Sequence, residues 1–149
     1  MTMTKAIYFD MDGTISDLYA VNDWLPLLRA SNPKPYAEAK PLVNMQVLAR
    51  LLNRLQANGY HIGIISWLSK ESSTEYDNAV TEAKLKWLNT HLKSVKWNEV
   101  NIVAYGTPKQ NTVRYNNGIL FDDELNNRSN WVGVAYDVDN IIEVLKGLL

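Results

Sequence analysis

Cysteine is absent from all 149 residues. That absence removes whole classes of chemistry, because no disulfide staple, thiolate zinc site, iron–sulfur cluster or cysteine nucleophile can be built. Any reactive site must use oxygen and nitrogen. An excess of charge is missing too: Lys+Arg 15 stand against Asp+Glu 16, with seven of each sign through Glu75 and eight basic against nine acidic residues after it. Neither half forms a basic arm, so no strong, duplex-wrapping nucleic-acid footprint is expected. Long apolar runs are missing as well. The first, Ala6-Ile7-Tyr8-Phe9, stops at Asp10, far short of a signal-peptide core or a membrane span, and the chain reads as cytoplasmic with no membrane partner. Gly 7 and Pro 5 are few, and 21% charged with 46% hydrophobic residues excludes disorder and collagen-like repeats. At this length one domain, 1–149, is expected to bury about two-thirds of its unfolded surface.

What is present alternates between strand and helix periodicity. Residues 5–10 form a short apolar run ending in an acid, the pattern of a strand buried on both faces. Leu18, Val21, Trp24, Leu25 and Leu28 follow helical spacing, but Pro26 cannot lie deep inside one continuous helix. A break is expected, with Asp23 capping a short helix that holds Pro26 in its first turn. Residues 31–41, with Pro33, Pro35 and Pro41, read as an irregular excursion. Leu48, Leu51, Leu52 and Leu55 mark a helix stopped by Asn58-Gly59. A second strand follows at 61–66, and a helix beginning within 72–75 continues through Ala83, Trp87, Leu88 and Leu92. Strands at 100–104, 118–121 and 132–135 precede a closing helix on Ile141, Val144, Leu145 and Leu148. The alternation predicts a three-layer α/β/α sandwich around a mostly parallel, five-stranded, Rossmann-like sheet, with its site at the strand C-termini.

The polar residues at those strand ends carry the chemistry. They are Asp10-Met11-Asp12-Gly13-Thr14 after the first strand, Ser66 after the second, Lys109 past the third, and Asp122-Asp123 after the fourth. Each alone has a plain explanation as a turn, a helix cap, a solvated lysine or a surface acid pair. Four such clusters at successive strand ends converge on one crevice in this architecture. In order and context they resemble the four motifs of the haloacid dehalogenase (HAD) superfamily of phosphotransferases, and the resemblance covers nearly the whole chain.

That resemblance implies a phosphate monoester hydrolase. Such a reaction needs a nucleophile near phosphorus, neutralisation of the equatorial oxygens and a proton for the leaving alkoxide. Asp10 would be the nucleophile, forming an aspartyl-phosphate. Asp12 would protonate the leaving oxygen and later take a proton from the attacking water, which requires a raised pKa. Four carboxylates facing a phosphate repel one another, and all-oxygen ligands point to Mg²⁺. The expected ligands are Asp10, the Asp12 carbonyl and one of Asp122 and Asp123, with the family pattern favouring Asp123 as the direct ligand. Lys109 would supply fixed positive charge. Ser66 would hydrogen-bond a phosphoryl oxygen, assisted by the amides of Met11 and Trp67, and Thr14 would shape the turn and touch the site.

Residues 16–44 leave room for a small helical lid, not a large cap domain. They hold Tyr19, Trp24, Arg29, Lys34, Tyr36 and Lys40; aromatic faces suit a base, and Lys40 suits a second anionic group on the substrate. Trp24 alone reads as core and Lys34 as solvated. The short lid, the Asp-Asp fourth motif and Ser66-Trp67 look most like the 5′-nucleotidase and deoxyribonucleotidase branch, with Thr14 and the shorter lid as departures. The expected partner is therefore a small phosphorylated substrate such as a nucleoside monophosphate; a sugar phosphate, a nucleic acid end or a phosphoprotein fits the same opening. A receiver-type module places its acid pair on the first strand and its phosphorylated Asp later, the reverse of this order. A P-loop kinase lacks its motif here, and a phosphate-binding module that lost activity would not be expected to keep every catalytic residue.

Overall fold

The computed structural model describes residues 4–70 and 73–149. The chain runs β1 (Ala6–Phe9), β2 (Ser16–Asp17), α1 (Trp24–Arg29), α2 (Lys34–Glu38), β3 (Lys40–Pro41), α3 (Met45–Ala57), β4 (His61–Trp67), α4 (Thr74–His91), β5 (Glu99–Val103), β6 (Ile119–Phe121), α5 (Leu125–Asn130), β7 (Val134–Tyr136) and α6 (Ile141–Gly147). The main sheet has the order β5-β4-β1-β6-β7, and every pairing in it is parallel. β1 lies in the middle, with Ile7 in register with Ile62 on one side and Ile119 on the other. Both neighbours point the same way, so the residues following β1, β4 and β6 emerge along one edge of the sheet.

The alternation of β1 side chains separates two clusters. Ile7 and Phe9 share a core with Leu48, Leu52 and Leu55 of α3, Trp87 and Leu88 of α4, and Ile141 and Leu145 of α6. Ala6 and Tyr8 pack on the opposite face with Val113, Leu120 and Trp131. The five-stranded α/β expectation holds, and the sheet is wholly rather than mostly parallel.

Four local expectations change. Asp23 precedes α1, and Pro26 lies near its start, but Asp23 adopts φ 59 and makes no side-chain cap bond. Residues 31–41 are not simply irregular: Pro35 lies in the first turn of α2, where its missing N–H removes no helix bond, and Lys40–Pro41 forms a strand. The last strand begins at Val134, two residues late; Val132 and Val134 are both exposed, so the apolar run does not mark where pairing starts. α5 was not anticipated; its sequence Leu-Asn-Asn-Arg-Ser-Asn has no apolar periodicity and Leu125 is exposed. Ser72, one expected start of the fourth helix, lies outside the described residues; Ser73 caps α4 by accepting from the Tyr76 amide.

Residues 16–44 pack along α4. β2 and β3 pair antiparallel, Ser16 with Pro41 and Asp17 with Lys40, so the two ends of the segment are tied together. Leu18 and Tyr36 pack with Tyr76 and Val80 of α4, and Trp87 Nε1 donates to the Ala39 carbonyl at 2.7 Å.

Glu99 at the start of β5 joins three strands. The Tyr8 hydroxyl donates to Glu99 Oε1, His61 Nε2 lies 3.0 Å from the same oxygen, Asn101 Nδ2 donates to Oε2 at 3.2 Å, and the Arg114 amide donates at 3.3 Å. Burial pushes this carboxyl up, but the bonds from Tyr8, Asn101 and His61 outweigh it and hold it below the usual carboxylate range. Glu99→Gln is expected to cost about 1–3 kcal/mol at neutral pH. A depressed folded pKa contributes stability above the unfolded value and loses it as pH falls, so denaturant melts of the two proteins should converge in acid.

Candidate active site

The turn after β1 is set by backbone bonds and one glycine. The Asp10 amide donates to Phe121 O at 2.9 Å, fastening it to β6, and the Met11 carbonyl accepts from the amides of Thr14, Ile15 and Ser16. Gly13 has φ +80, and a Cβ there would collide with the Asp123 carboxylate and the Tyr19 ring, so only glycine lets the turn pass beneath the acid pair. Met11 buries its side chain in the core; only its backbone can serve a ligand. Lys109 begins a short 3₁₀ turn, Lys109–Asn111, and is buried.

Asp10 is the centre of the arrangement. Lys109 Nζ donates to Asp10 Oδ1 at 3.0 Å and to Asp122 Oδ2 at 2.6 Å. Thr14 Oγ1 donates to Asp10 Oδ2 at 3.0 Å and accepts from the Asp123 amide at 3.2 Å, so Thr14 aligns the first and fourth motifs. The second Asp122 oxygen accepts from the Glu124 amide at 2.9 Å. Asp10, Asp122 and Asp123 each offer an oxygen, all within 4.8 Å of one another.

Lys84, which the sequence pattern alone does not single out, supplies a second ammonium. Lys84 of α4 is 1% exposed, and its ammonium donates to Asp12 Oδ2 at 2.9 Å, Ser66 Oγ at 2.7 Å and the Trp67 carbonyl at 2.7 Å. Its signal was its position: four residues after Val80 and three before Trp87, it falls inside the buried stripe of α4.

Four carboxylates now face two ammonium groups, a formal charge of −2. Burial, then the Asp10 charge, pushes Asp122 and Asp123 above the usual carboxylate range. Asp12 is also raised, by burial and by Asp10, with Lys84 pulling the other way. Burial lowers the Lys109 pKa, but Asp10 and Asp122 more than offset it and hold the ammonium firmly protonated. An all-oxygen cluster with this imbalance fits a hard divalent cation. Without one, the folded protein binds protons that the unfolded chain has released, and its stability should fall as pH rises from the ordinary carboxylate range towards neutrality. Thermal melts across that range should show this slope, and a saturating divalent cation should flatten it.

A cavity of about 300 Å³ opens on Asp10, Asp12 and Lys109. Tyr19, Trp24 and Tyr36 from residues 16–44 face Trp67 and Tyr105 from the sheet edge across it. Trp24 is therefore wall, not core, and meets Tyr19 edge-on at 5.0 Å. The Trp67 ring lies 5.2 Å from Lys109 Nζ, and its Nε1 donates to Thr107 O at 2.7 Å. Two expected contacts are not assembled. Lys40 lies on β3 and lines a different cavity with Asp17, Lys34 and Glu38, because the β2–β3 pairing carries it away from the phosphate end. Ser66 is fully buried, and its hydroxyl turns to Lys84 instead of the cavity. Lys34 is exposed, as anticipated, beside Glu38 at 3.8 Å.

No protein-family model and no curated protein matches the sequence. Solved structures do match. A D,D-heptose 1,7-bisphosphate phosphatase from Burkholderia thailandensis superposes with a TM-score of 0.58 at 11% identity, covering 97% of this chain and 98% of that one. The corresponding phosphatase from B. bronchiseptica, complexed with magnesium and phosphate, gives 0.60 at 14% identity with the same coverage. The chain shares their fold. Among the described residues no helix is long and apolar enough to cross a membrane.

Proposed function

We propose that this chain is a Mg²⁺-dependent phosphomonoesterase of the HAD type, working through an aspartyl-phosphate. The observation that carries the reading is Asp10 at the centre of a strand-end crevice, held by Lys109 and Thr14 and flanked by Asp12, Asp122 and Asp123. Magnesium in a heptose bisphosphate phosphatase of the same fold supports the choice of metal. Asp10 and Asp123 would hold it with the Asp12 carbonyl. Asp122 has both oxygens engaged by Lys109 and the Glu124 amide, which favours Asp123 as the direct ligand and Asp122 as its support. The metal supplies charge neutralisation at the phosphoryl oxygens.

The residues divide the reaction between them. An Asp10 carboxylate oxygen forms a bond to phosphorus as the ester P–O bond breaks, and the Asp12 proton goes to the departing oxygen. Water then attacks phosphorus, its proton goes to Asp12, and the Asp10–phosphorus bond breaks to release phosphate. Lys109 orients Asp10 through the bond to its Oδ1 and stabilises charge gathering on the phosphoryl oxygens.

The aromatic walls favour a planar leaving group, and a nucleoside monophosphate is the substrate class we propose. Base–aromatic stacking contributes about 1–3 kcal/mol per base, and Trp24, Trp67 and Tyr105 supply aromatic surface where, among the described residues, a second anion would find only Lys70 beyond Lys109. Purified protein with Mg²⁺ should hydrolyse a generic aryl phosphate. In a panel, nucleoside monophosphates should exceed sugar phosphates, sugar bisphosphates and phosphopeptides in kcat/KM by about tenfold or more. Turnover without that preference would retain the phosphatase and remove the nucleotide; no turnover of any ester would remove both.

A further inference from the structure

We infer that Ser66 and Lys84 form a positioning relay that aims Asp12 at the leaving group, an inference that rests on the phosphatase reading. The geometry leaves Lys84 no other task. An ammonium has three N–H donors, and here Asp12 Oδ2, Ser66 Oγ and the Trp67 carbonyl take one each, at 2.9, 2.7 and 2.7 Å. The Tyr36 ring, 5.2 Å away, covers the ammonium from the side of residues 16–44. Lys84 therefore has no donor to offer a phosphoryl oxygen, and it does not line the cavity. Ser66 has no exposed surface either.

Two of these anchors belong to the end of β4 and the third to the turn after β1. Lys84 thus ties one oxygen of Asp12 to the rigid sheet edge. Among the described residues Asp12 Oδ1 has no hydrogen-bond partner, and Asp12 lines the cavity; fixing Oδ2 points Oδ1 towards a bound ester. Without the anchor, the Asp12 side chain regains rotamers that place its carboxyl away from the departing oxygen. The effect falls on proton delivery, not on phosphate binding, so the cost must depend on how much the leaving group needs a proton.

That dependence is the test. A nitrophenolate departs unaided, whereas an alkoxide needs the Asp12 proton. Ser66→Ala, which fits the site without strain, and Lys84→Met are compared with the wild type on p-nitrophenyl phosphate and on a simple alkyl phosphate. The quantity read is kcat/KM, which is governed by the step that expels the leaving group. For Ser66→Ala the alkyl ester should lose about tenfold and the aryl ester less than about threefold; for Lys84→Met the alkyl loss should reach about 100-fold with the aryl loss under about tenfold. Equal losses on the two esters would overturn the relay and return Ser66 to direct contact with the phosphoryl group, which both esters share. Unchanged rates on both would overturn it as well. Should Lys84→Met not fold, Ser66→Ala decides alone. A wild type that turns over neither ester refutes the phosphatase reading and the relay with it, whereas an active wild type with equal losses refutes only the relay.

Discussion

Asp10→Asn is expected to reduce hydrolysis of every phosphate monoester by about 10⁴-fold or more, because an amide cannot form the acyl phosphate and no neighbouring group can replace it. Lys109 is committed to Asp122 as well as to Asp10, Lys84 holds one oxygen of Asp12, and Asp122 is fully buried. The fold should survive the change. Asparagine keeps an oxygen to accept from Thr14, Lys109 keeps its 2.6 Å bond to Asp122, and removing one carboxylate relieves the repulsion that, after burial, raises Asp122 and Asp123. Melting of the variant without metal should therefore equal or exceed that of the wild type, while its stabilisation by Mg²⁺ shrinks because one ligand has lost its charge. Steady-state rates and melts with and without Mg²⁺ check both halves. Activity within tenfold of wild type would remove Asp10 from the nucleophile's role.

Lys109→Met should separate two consequences of one ammonium. Its removal strands two buried carboxylates, and breaking a buried pair by deleting one partner costs about 3–5 kcal/mol. Mg²⁺ replaces part of the missing positive charge, so the metal should recover much of that stability. It should not recover the rate. The transition state still lacks a fixed cation beside Asp10, and a loss of about 10²–10³-fold is expected to persist at saturating Mg²⁺. Chemical denaturation with and without the metal, beside kcat at saturating metal, distinguishes these outcomes. A destabilisation that Mg²⁺ leaves untouched would make Lys109 a structural lysine.

The succession of strands along the chain and the position of the crevice are legible because buried parallel strands are short apolar runs, and their polar ends mark the edge where ligands meet backbone. Asp10, Thr14, Lys109, Asp122 and Asp123 meet where that logic put them together. What escaped depended on direction. Lys84 looks like any helical lysine until its place in the stripe Tyr76, Val80, Trp87, Leu88 is noticed. Ser66 is at the expected strand end, but which way a hydroxyl turns depends on its neighbours, and its neighbour is Lys84. Lys40 was misplaced because a two-residue antiparallel pairing has no periodicity to detect. Trp24 reads as core from sequence because a tryptophan at helical spacing looks the same whether it faces a core or a cavity.

The ribbon formed by Ser16, Asp17, Lys40 and Pro41 has an evolutionary consequence. It brings the two ends of the roof over the site close together, so that, as far as the chain path is concerned, an insert of another length between them is expected to leave Asp10 where it is. Leu18, Tyr36 and the Ala39 carbonyl, all of which meet α4, are exceptions to that freedom, and Tyr36 is the one that bears on the chemistry. Its ring rests on the ammonium that anchors Asp12, so a replacement insert that changes what is recognised must still bring a cover for Lys84, or it will alter the chemistry along with the specificity.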